Sequence, residues 1–214
     1  MSKLVLGDLH VGDGRAADLP LLAFLRAHEQ VEELILNGDV LDLFWTEGVL
    51  TPDMLLLLNQ LRRFQRVTWI VGNHDKPVLQ HLSLLPPCVH LVPEGVYPLR
   101  DHGLDFTILH GHQADTLVVK HPWVARQLVR LHAWLYHCFG WDVQAWARSF
   151  ASAQRALERQ EESIRTDPRY KADIIISGHT HRPHQEGTYF NSGDWLCHRT
   201  YIEIDAGVVR LREA

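Results

Sequence analysis

Carboxylates, an amide and imidazoles gather in five short clusters. They are Asp8-Leu9-His10, Gly38-Asp39, Gly72-Asn73-His74-Asp75, His110-Gly111-His112 and Gly178-His179-Thr180-His181. Oxygen and imidazole donors in this mixture suit Mn²⁺, Fe²⁺ or Zn²⁺ better than Ca²⁺, and no thiolate is among them. Alternation in Asp-x-His or His-x-His puts two side chains on one side of an extended segment. A carboxylate such as Asp39 can bridge two ions. Two ions about 3.5–4 Å apart can clamp the attacking and leaving oxygens of a phosphoryl displacement. Asp-x-His alone is commonplace in loops. A lone histidine among the 15 in this chain is most simply a surface or core residue. The weight lies in the whole series, with His110-Gly111-His112 and Gly178-His179-Thr180-His181 its more specific members.

Clusters so far apart in sequence need elements that bring them together. Short apolar runs at Lys3–Leu6, Glu33–Leu36 and Val67–Val71 read as buried strands, each ending at a cluster. A helix is expected from Leu19 to Ala27, with Asp18 as a cap and Pro20 in its first turn. Thr51-Pro52-Asp53 starts another that runs to Arg63. Strand, helix, strand, helix, strand implies a parallel sheet in an α/β domain. Asp105–Leu109, Ile174–Ser177, Thr200–Ile204 and Val208–Leu211 read as further strands, the last two as a hairpin turning at Asp205-Ala206-Gly207. In open α/β sheets ligands bind beyond the carboxyl ends of the strands. All the clusters would therefore meet at one edge. Glycines before the ligands let the backbone turn sharply and approach the ions. Leu55 to Leu58 is expected in the helix core.

Leu117 to Arg165 is different. Helical spacing replaces strand signals, in Trp123, Leu128, Leu131 and Leu135, and again in Trp146, Phe150, Ala153 and Leu157. The segment holds four of the seven tryptophans and carries a charge of +3, which leaves −8 on the remainder. It is either a helical pair packed on the sheet or a cap over the site. The chain has 214 residues, 46% of them hydrophobic, enough for one domain with its own core. A net charge of −5 gives no basic bias towards nucleic acid. Three scattered cysteines point to a reduced, cytoplasmic compartment. The N-terminus does not read as a signal peptide, and no apolar run reaches membrane-spanning length.

Taken in order, the clusters resemble the calcineurin-like metallophosphoesterase superfamily, with its pattern D-x-H, G-D, G-N-H-[DE], H-G or G-H, and G-H-x-H. The resemblance runs from Asp8 to His181. It implies an α+β sandwich of mixed β-sheets flanked by helices, so a single parallel sheet describes only part of the fold. It implies one ion held by Asp8, His10, Asp39 and His181, and another by Asp39, Asn73, His110 and His179. A metal-bridging hydroxide would be the nucleophile. His74 would be the catalytic histidine near the leaving oxygen, oriented by Asp75. His112 is open between substrate contact, metal ligand and neither, with substrate contact favoured. Asp42 is expected to support its loop.

A narrower resemblance joins Gly178-His179-Thr180-His181-Arg182-Pro183, Asn191-Ser192-Gly193-Asp194-Trp195 and the position of the insert to the UDP-2,3-diacylglucosamine hydrolases. That family cleaves a sugar-nucleotide pyrophosphate with Mn²⁺. The resemblance implies a single domain, 1–214, whose helical insert, 117–165, caps an acyl-chain pocket. Trp123, Trp134, Trp141 and Trp146 would line it, with Trp134 and Trp146 the residues tied most directly to substrate. Arg126, Arg130, Arg148 and Arg155 would meet a diphosphate or an anionic membrane surface. Arg182, next to His181, is open between a phosphate contact and a surface salt bridge. Asn191 and Asp194 would support the site from a late loop. The chain departs from the family at Asn73-His74-Asp75-Lys76, where G-N-R-D-F is usual, at His112 in place of the aspartate of H-G-D, and at Val40-Leu41-Asp42-Leu43-Phe44-Trp45. Other readings are a phosphodiesterase or phosphatase for another nucleotide, lipid headgroup or phosphoprotein, and a metal-binding scaffold without chemistry. A DNA nuclease is disfavoured by charge.

Overall fold

The computed structural model describes every residue except 1, 14–17, 45, 142, 144, 145, 147 and 148, and only the backbone of Asp18, Ala133 and His137. Trp45 and Arg148, both singled out above, lie outside the described residues, as does the Asp18 side chain. In chain order the strands are β1 (Lys3–Leu6), β2 (Glu33–Asn37), β3 (Val67–Ile70), β4 (Val89–Val92), β5 (Val96–Asp101) and β6 (Leu104–Leu109). After them come β7 (Ile174–Ser177), β8 (His184–Glu186), β9 (Tyr189–Asn191), β10 (Thr200–Asp205) and β11 (Val208–Glu213). The longer helices are α1 (Asp18–Ala27), α2 (Pro52–Leu61), α3 (Thr116–Lys120), α4 (Pro122–Phe139) and α5 (Ala151–Thr166).

Two mixed sheets stack face to face. One has the order β11-β10-β1-β2-β3-β4, with β1 to β4 parallel. The other has the order β5-β6-β7-β9-β8, with β6, β7 and β9 parallel. The pleat explains why the strand sequences are apolar throughout. Val5, Ile35 and Ile70 point between the sheets, where they meet Phe106, Ile108, Ile176 and Phe190. Their neighbours Leu4, Leu6, Leu34, Leu36 and Trp69 point the other way, onto Leu21, Leu25, Met54, Leu57 and Leu61. Each such side chain, fully buried, contributes about 1.5–3 kcal/mol. Ile164 of α5 covers the outer face of the second sheet with Leu109, Ile175 and Tyr189. The result is helix, sheet, sheet, helix, and the single parallel sheet read from periodicity is half of it.

Local chemistry sets the boundaries. The Thr51 hydroxyl accepts from the Met54 amide at 3.4 Å, and Pro52 opens α2. Leu57 and Leu58 of α2 are core residues, whereas Leu55 and Leu56 are exposed. Four successive helical residues cover more than one face, so the run could not be buried whole. The hairpin β10–β11 turns on Ala206 and Gly207, both at positive φ (48° and 78°), the pair of signs that two-residue hairpin loops favour. In the insert, Asp115 caps α3, and α4 ends at Gly140 in the left-handed region, φ 70°.

Candidate metal centre

Each cluster follows a strand end: β1, β2 and β3 in one sheet, β6 and β7 in the other. All open onto one edge of the sandwich. The backbone there is unusual. Asp8, His10, Asp39, His179 and His181 all have positive φ, 51°, 48°, 49°, 68° and 56°. Such a conformation costs on the order of 1–3 kcal/mol per residue and gathers at functional sites. Turning this sharply on leaving a strand aims the side chains at i and i+2 inwards together. Gly72 and Gly178 make room for it. A Cβ on Gly72 would lie 2.2 Å from Asp39 Oδ1, and one on Gly178 would lie 2.6 Å from Asp8 Oδ2.

Asp39 stands at the middle. Its Oδ2 lies 3.2 Å from His110 Nε2 and 4.0 Å from both His10 Nε2 and His74 Nε2. Asp8 Oδ1 lies 3.3 Å from His181 Nε2 and 3.9 Å from His10 Nε2. Two trios, Asp8, His10 and His181, and Asp39, His110 and His179, each bring one donor atom per residue within 4.8 Å of the others. Asp8 Oδ1, His10 Nε2, Asn73 Oδ1 and His110 Nε2 are buried and have no hydrogen-bond partner in the protein. Buried polar atoms are rarely left this way. Oxygen and imidazole nitrogen donors aimed at common points are what a divalent cation requires, so these residues fit the ions that the sequence implied.

The opposite edges of the rings are anchored. Asp42 meets both His10 Nδ1 (3.4 Å) and His74 Nδ1 (3.0 Å). His110 Nδ1 donates to the Asn37 carbonyl at 3.0 Å. His179 Nε2 meets Asp115 Oδ2 at 3.1 Å. Backbone amides bind the free carboxylate oxygens, His179 N to Asp8 Oδ2 (2.8 Å) and His74 N to Asp39 Oδ1 (2.8 Å).

Asp75 is placed differently from the sequence expectation. Its carboxylate accepts from the amides of Val40, Leu41 and Gly72 and from the Trp69 indole. It ties the Asp39 turn to the Asn73 turn, and the carboxylate on His74 Nδ1 belongs to Asp42. Asp42 therefore does more than support its loop. The single spacing Asn73-His74-Asp75 could not show this, because Asp42 reaches the ring from another strand end. Asp115 carried no signal beyond that of a helix cap.

The electrostatics follows from crowding. Burial pushes the His74 imidazole down, but the Asp42 and Asp39 carboxylates outweigh it and raise it to about 10. His110 is likewise depressed by burial and raised to about 9 by Asp39. Burial drives Asp8 up to about 7 despite His110. Asp39 is held well below the usual carboxylate range, its burial overcome by His110 and His74. The charge that draws protons onto these rings would equally draw cations into the centre.

The profile of the calcineurin-like phosphoesterases matches residues 1–183. This chain belongs to the calcineurin-like phosphoesterase family. It is a metal-dependent phosphoric ester hydrolase. A UDP-2,3-diacylglucosamine hydrolase of Tolumonas auensis is 26% identical, with 96% of this chain and 94% of that protein aligned. Another, from Photorhabdus laumondii, is 28% identical, with 86% of this chain and 83% of that protein aligned. Among solved structures, Yfce, a phosphoesterase from E. coli, superposes with a TM-score of 0.53 at 16% identity, over 100% of this chain and 93% of its own. That likeness concerns the fold.

In this phosphoesterase a cavity of about 380 Å³ runs from the ligand cluster to the insert. His10, Asp39, Asn73, His74, His179 and His181 form its floor. Leu128, Leu131 and Leu135 of α4, with Val143 and Leu157, form much of its wall. α4 also reaches the loop after β2, where Arg126 stacks over Phe44 (5.7 Å) and Arg130 pairs with Glu47.

The residues expected to bind substrate lie outside the walls of this cavity. Trp134 is 50% exposed against Phe139, and Trp146 is 65% exposed against Phe150. Leu128 and Leu131 line the cavity although at 50% and 51% they are as exposed as Trp134, so cavity lining, and not burial, separates the leucines of α4 from its tryptophans. Trp123 and Trp141 are exposed as well. Arg182 is engaged by Glu158 and Glu161 of α5. His112 sits beside His110 and His179, ring centroids 5.4 and 6.4 Å away, and burial lowers it to about 3. Asp194 bonds His198 and approaches His181 Nδ1 at 3.7 Å, which agrees with its expected supporting place.

Proposed function

We propose that this phosphoesterase hydrolyses a phosphodiester or pyrophosphate in an amphiphilic substrate, with UDP-2,3-diacylglucosamine the specific candidate. The observation that carries this reading is the continuity of one cavity from the ligand cluster to a leucine wall on the insert. A polar end and an acyl end fit the two halves. The hydrolase names borne by the 26% and 28% identical relatives support it. The chain acts as one domain, 1–214, with 117–165 as its cap.

Asp8, His10, Asp39 and His181 would hold one ion, and Asp39, Asn73, His110 and His179 the other, with Mn²⁺ the candidate metal. Such a pair supplies charge neutralisation on the phosphoryl oxygens and activation of water. The side chains do the rest. Asp42 fixes the His74 ring through Nδ1, so Nε2 is the nitrogen turned to the cavity. From there it donates a proton to the leaving oxygen, and Asp42 stabilises the charged ring before transfer. Asp75 holds the two turns that carry Asp39 and Asn73 in register.

The exposed Trp123, Phe139, Trp141 and Trp146 form the outer face of a segment with net positive charge. They suit peripheral contact with an anionic membrane, on its cytoplasmic side, from which an acylated substrate is drawn. Among the described residues no helix is long and apolar enough to cross a membrane.

The test is UMP release from UDP-2,3-diacylglucosamine by Mn²⁺-loaded protein, with Asn73→Ala as control. Release that disappears in the variant supports the reading. Turnover of an aryl phosphodiester without UMP release would point to a phosphodiesterase for another nucleotide or headgroup.

A further inference from the structure

The Gly178–Arg182 loop carries His179 and His181, and the insert grips it from both ends. Just before the insert, where Asp115 caps α3, the two oxygens of that residue do separate work. Oδ1 accepts from the amides of Leu117 (2.8 Å) and Val118 (3.2 Å), which caps α3. Oδ2 lies 3.1 Å from His179 Nε2. At the far end, on α5, Glu161 is a buried carboxylate with a side chain 5% exposed. Its Oε1 accepts from the Thr180 hydroxyl and from Asn191 Nδ2 (3.2 Å), and its Oε2 from Arg182 Nη1 (3.2 Å). Asn191 Nδ2 in turn reaches Thr180 Oγ1 at 2.9 Å. Gln160, next to Glu161, reaches the Gly111 carbonyl at 3.5 Å, behind His110.

A helix cap needs only one carboxylate oxygen, and an amphipathic helix packing on a sheet needs no buried charge. Both features are explained if they serve the loop. A carboxylate on the far nitrogen of a ligating histidine fixes ring orientation and strengthens the donor, as outer carboxylates do at metal sites. Glu161 fixes the same loop between its two histidines, through Thr180.

We propose that Asp115 and Glu161 are positioning residues that couple the seating of the helical insert to ion binding by His179 and His181. Coupling of this kind is reciprocal. Loading the centre secures the roots of the insert, and loosening the insert weakens the centre. The wall of the cavity and the site of chemistry are thereby assembled together. This rests on the metal-binding roles proposed above for His179 and His181.

The experiment uses the full chain stripped with chelator and titrated with MnCl₂ by calorimetry. Hydrogen exchange of residues 111–120 and 158–166 is followed in parallel, with and without Mn²⁺. Mn²⁺ is expected to raise protection in both segments. Asp115→Asn keeps the cap, because asparagine caps well, but presents an NH₂ or a weaker acceptor to His179. It should weaken one binding event about 10–100-fold and abolish the Mn²⁺-dependent protection of 111–120, with unchanged far-UV circular dichroism. Glu161→Gln, which keeps shape and one acceptor, should fall between the unsubstituted chain and Glu161→Ala. Unchanged affinity in Asp115→Asn and Glu161→Gln, or protection indifferent to Mn²⁺ in the unsubstituted chain, overturns the coupling. His179→Ala separates the two ideas. If it binds Mn²⁺ as tightly as the unsubstituted chain, the metal role of His179 is wrong and the coupling falls with it. If it loses affinity while Asp115→Asn does not, only the coupling falls.

Discussion

Asp42 serves two rings at once, His10 at 3.4 Å and His74 at 3.0 Å. Removing its charge while keeping its shape should therefore injure catalysis more than binding. Asp42→Asn is expected to lower kcat on an aryl phosphodiester by about 10–100-fold, the usual cost of losing an outer carboxylate, with a smaller change in KM. A KM effect with kcat intact would show that His74 needs no anchoring. Asp75 makes the opposite case. Its bonds are to three backbone amides and one indole, so Asp75→Ala should act on folding first. It leaves buried donors unsatisfied and should cost about 1–3 kcal/mol or more, read as a lower urea midpoint in metal-free protein.

At the scale of elements, α4 decides what the cavity accepts. Its leucines line the cavity and its tryptophans do not. Leu131→Gln or Leu135→Gln should reduce kcat/KM for an acylated substrate about tenfold, as expected from forfeiting roughly 1.5 kcal/mol of apolar burial. Turnover of a small aryl phosphodiester should barely change. Trp134→Ala and Trp146→Ala should leave the ratio of the two activities unchanged. A selective loss in the tryptophan variants would return them to the substrate pocket. The insert also presents aromatics to solvent, Trp123 on α4 and Trp141 just past its end. Binding to vesicles containing anionic lipid should fall in a Trp123→Ser/Trp141→Ser double variant and weaken with salt, as seen by co-sedimentation. Equal sedimentation of the variant would remove the membrane from the proposal.

At the scale of the molecule, the sheets are pinned to each other far from the chemistry. Lys3 of β1 donates to Asp101 of β5 at 2.6 Å, and both are buried. Burial pushes the Lys3 ammonium down, but Asp101 and Glu32 overcome it and raise it above its ordinary value. Burial raises Asp101, and Lys3 and His102 more than reverse this, so it lies below its ordinary value. The sign follows from linkage. The lowered carboxylate stabilises above its unfolded value and loses that stability as pH falls through its folded value. The raised ammonium stabilises below its unfolded value and loses that stability as pH rises through its folded one. Lys3→Met should thus cost about 1–3 kcal/mol at pH 7, and the difference from the unsubstituted protein should shrink as pH falls below the ordinary carboxylate value. A pH-independent difference would make the loss one of packing.

The motif residues Asp8, His10, Asp39, Asn73, His74, His110, His179 and His181 could be read from sequence because each follows a strand whose apolar run is visible by itself. Strand ends converge as a general property of α/β sheets. The cap of α2 and the hairpin at Ala206-Gly207 were legible for a similar reason: their chemistry is complete within a few residues. Short strands such as β8 and β9 were not legible. Three residues, His184–Glu186 or Tyr189–Asn191, hold too little pattern, and their conformation comes from pairing with partners already in place. The partners of the histidine rings were not legible either. Asp42 to His74 and Asp115 to His179 are contacts between segments, 32 and 64 residues apart. The placing of Trp134 and Trp146 off the cavity lining belongs with them. Helical spacing identified a face on α4, but which face would meet the cavity depended on where the rest of the chain stood. What the sequence determined was the donor set and the elements that end at it. What only the tertiary structure decided was which carboxylate holds which ring and which side of the insert looks in, because both are set by packing between distant segments.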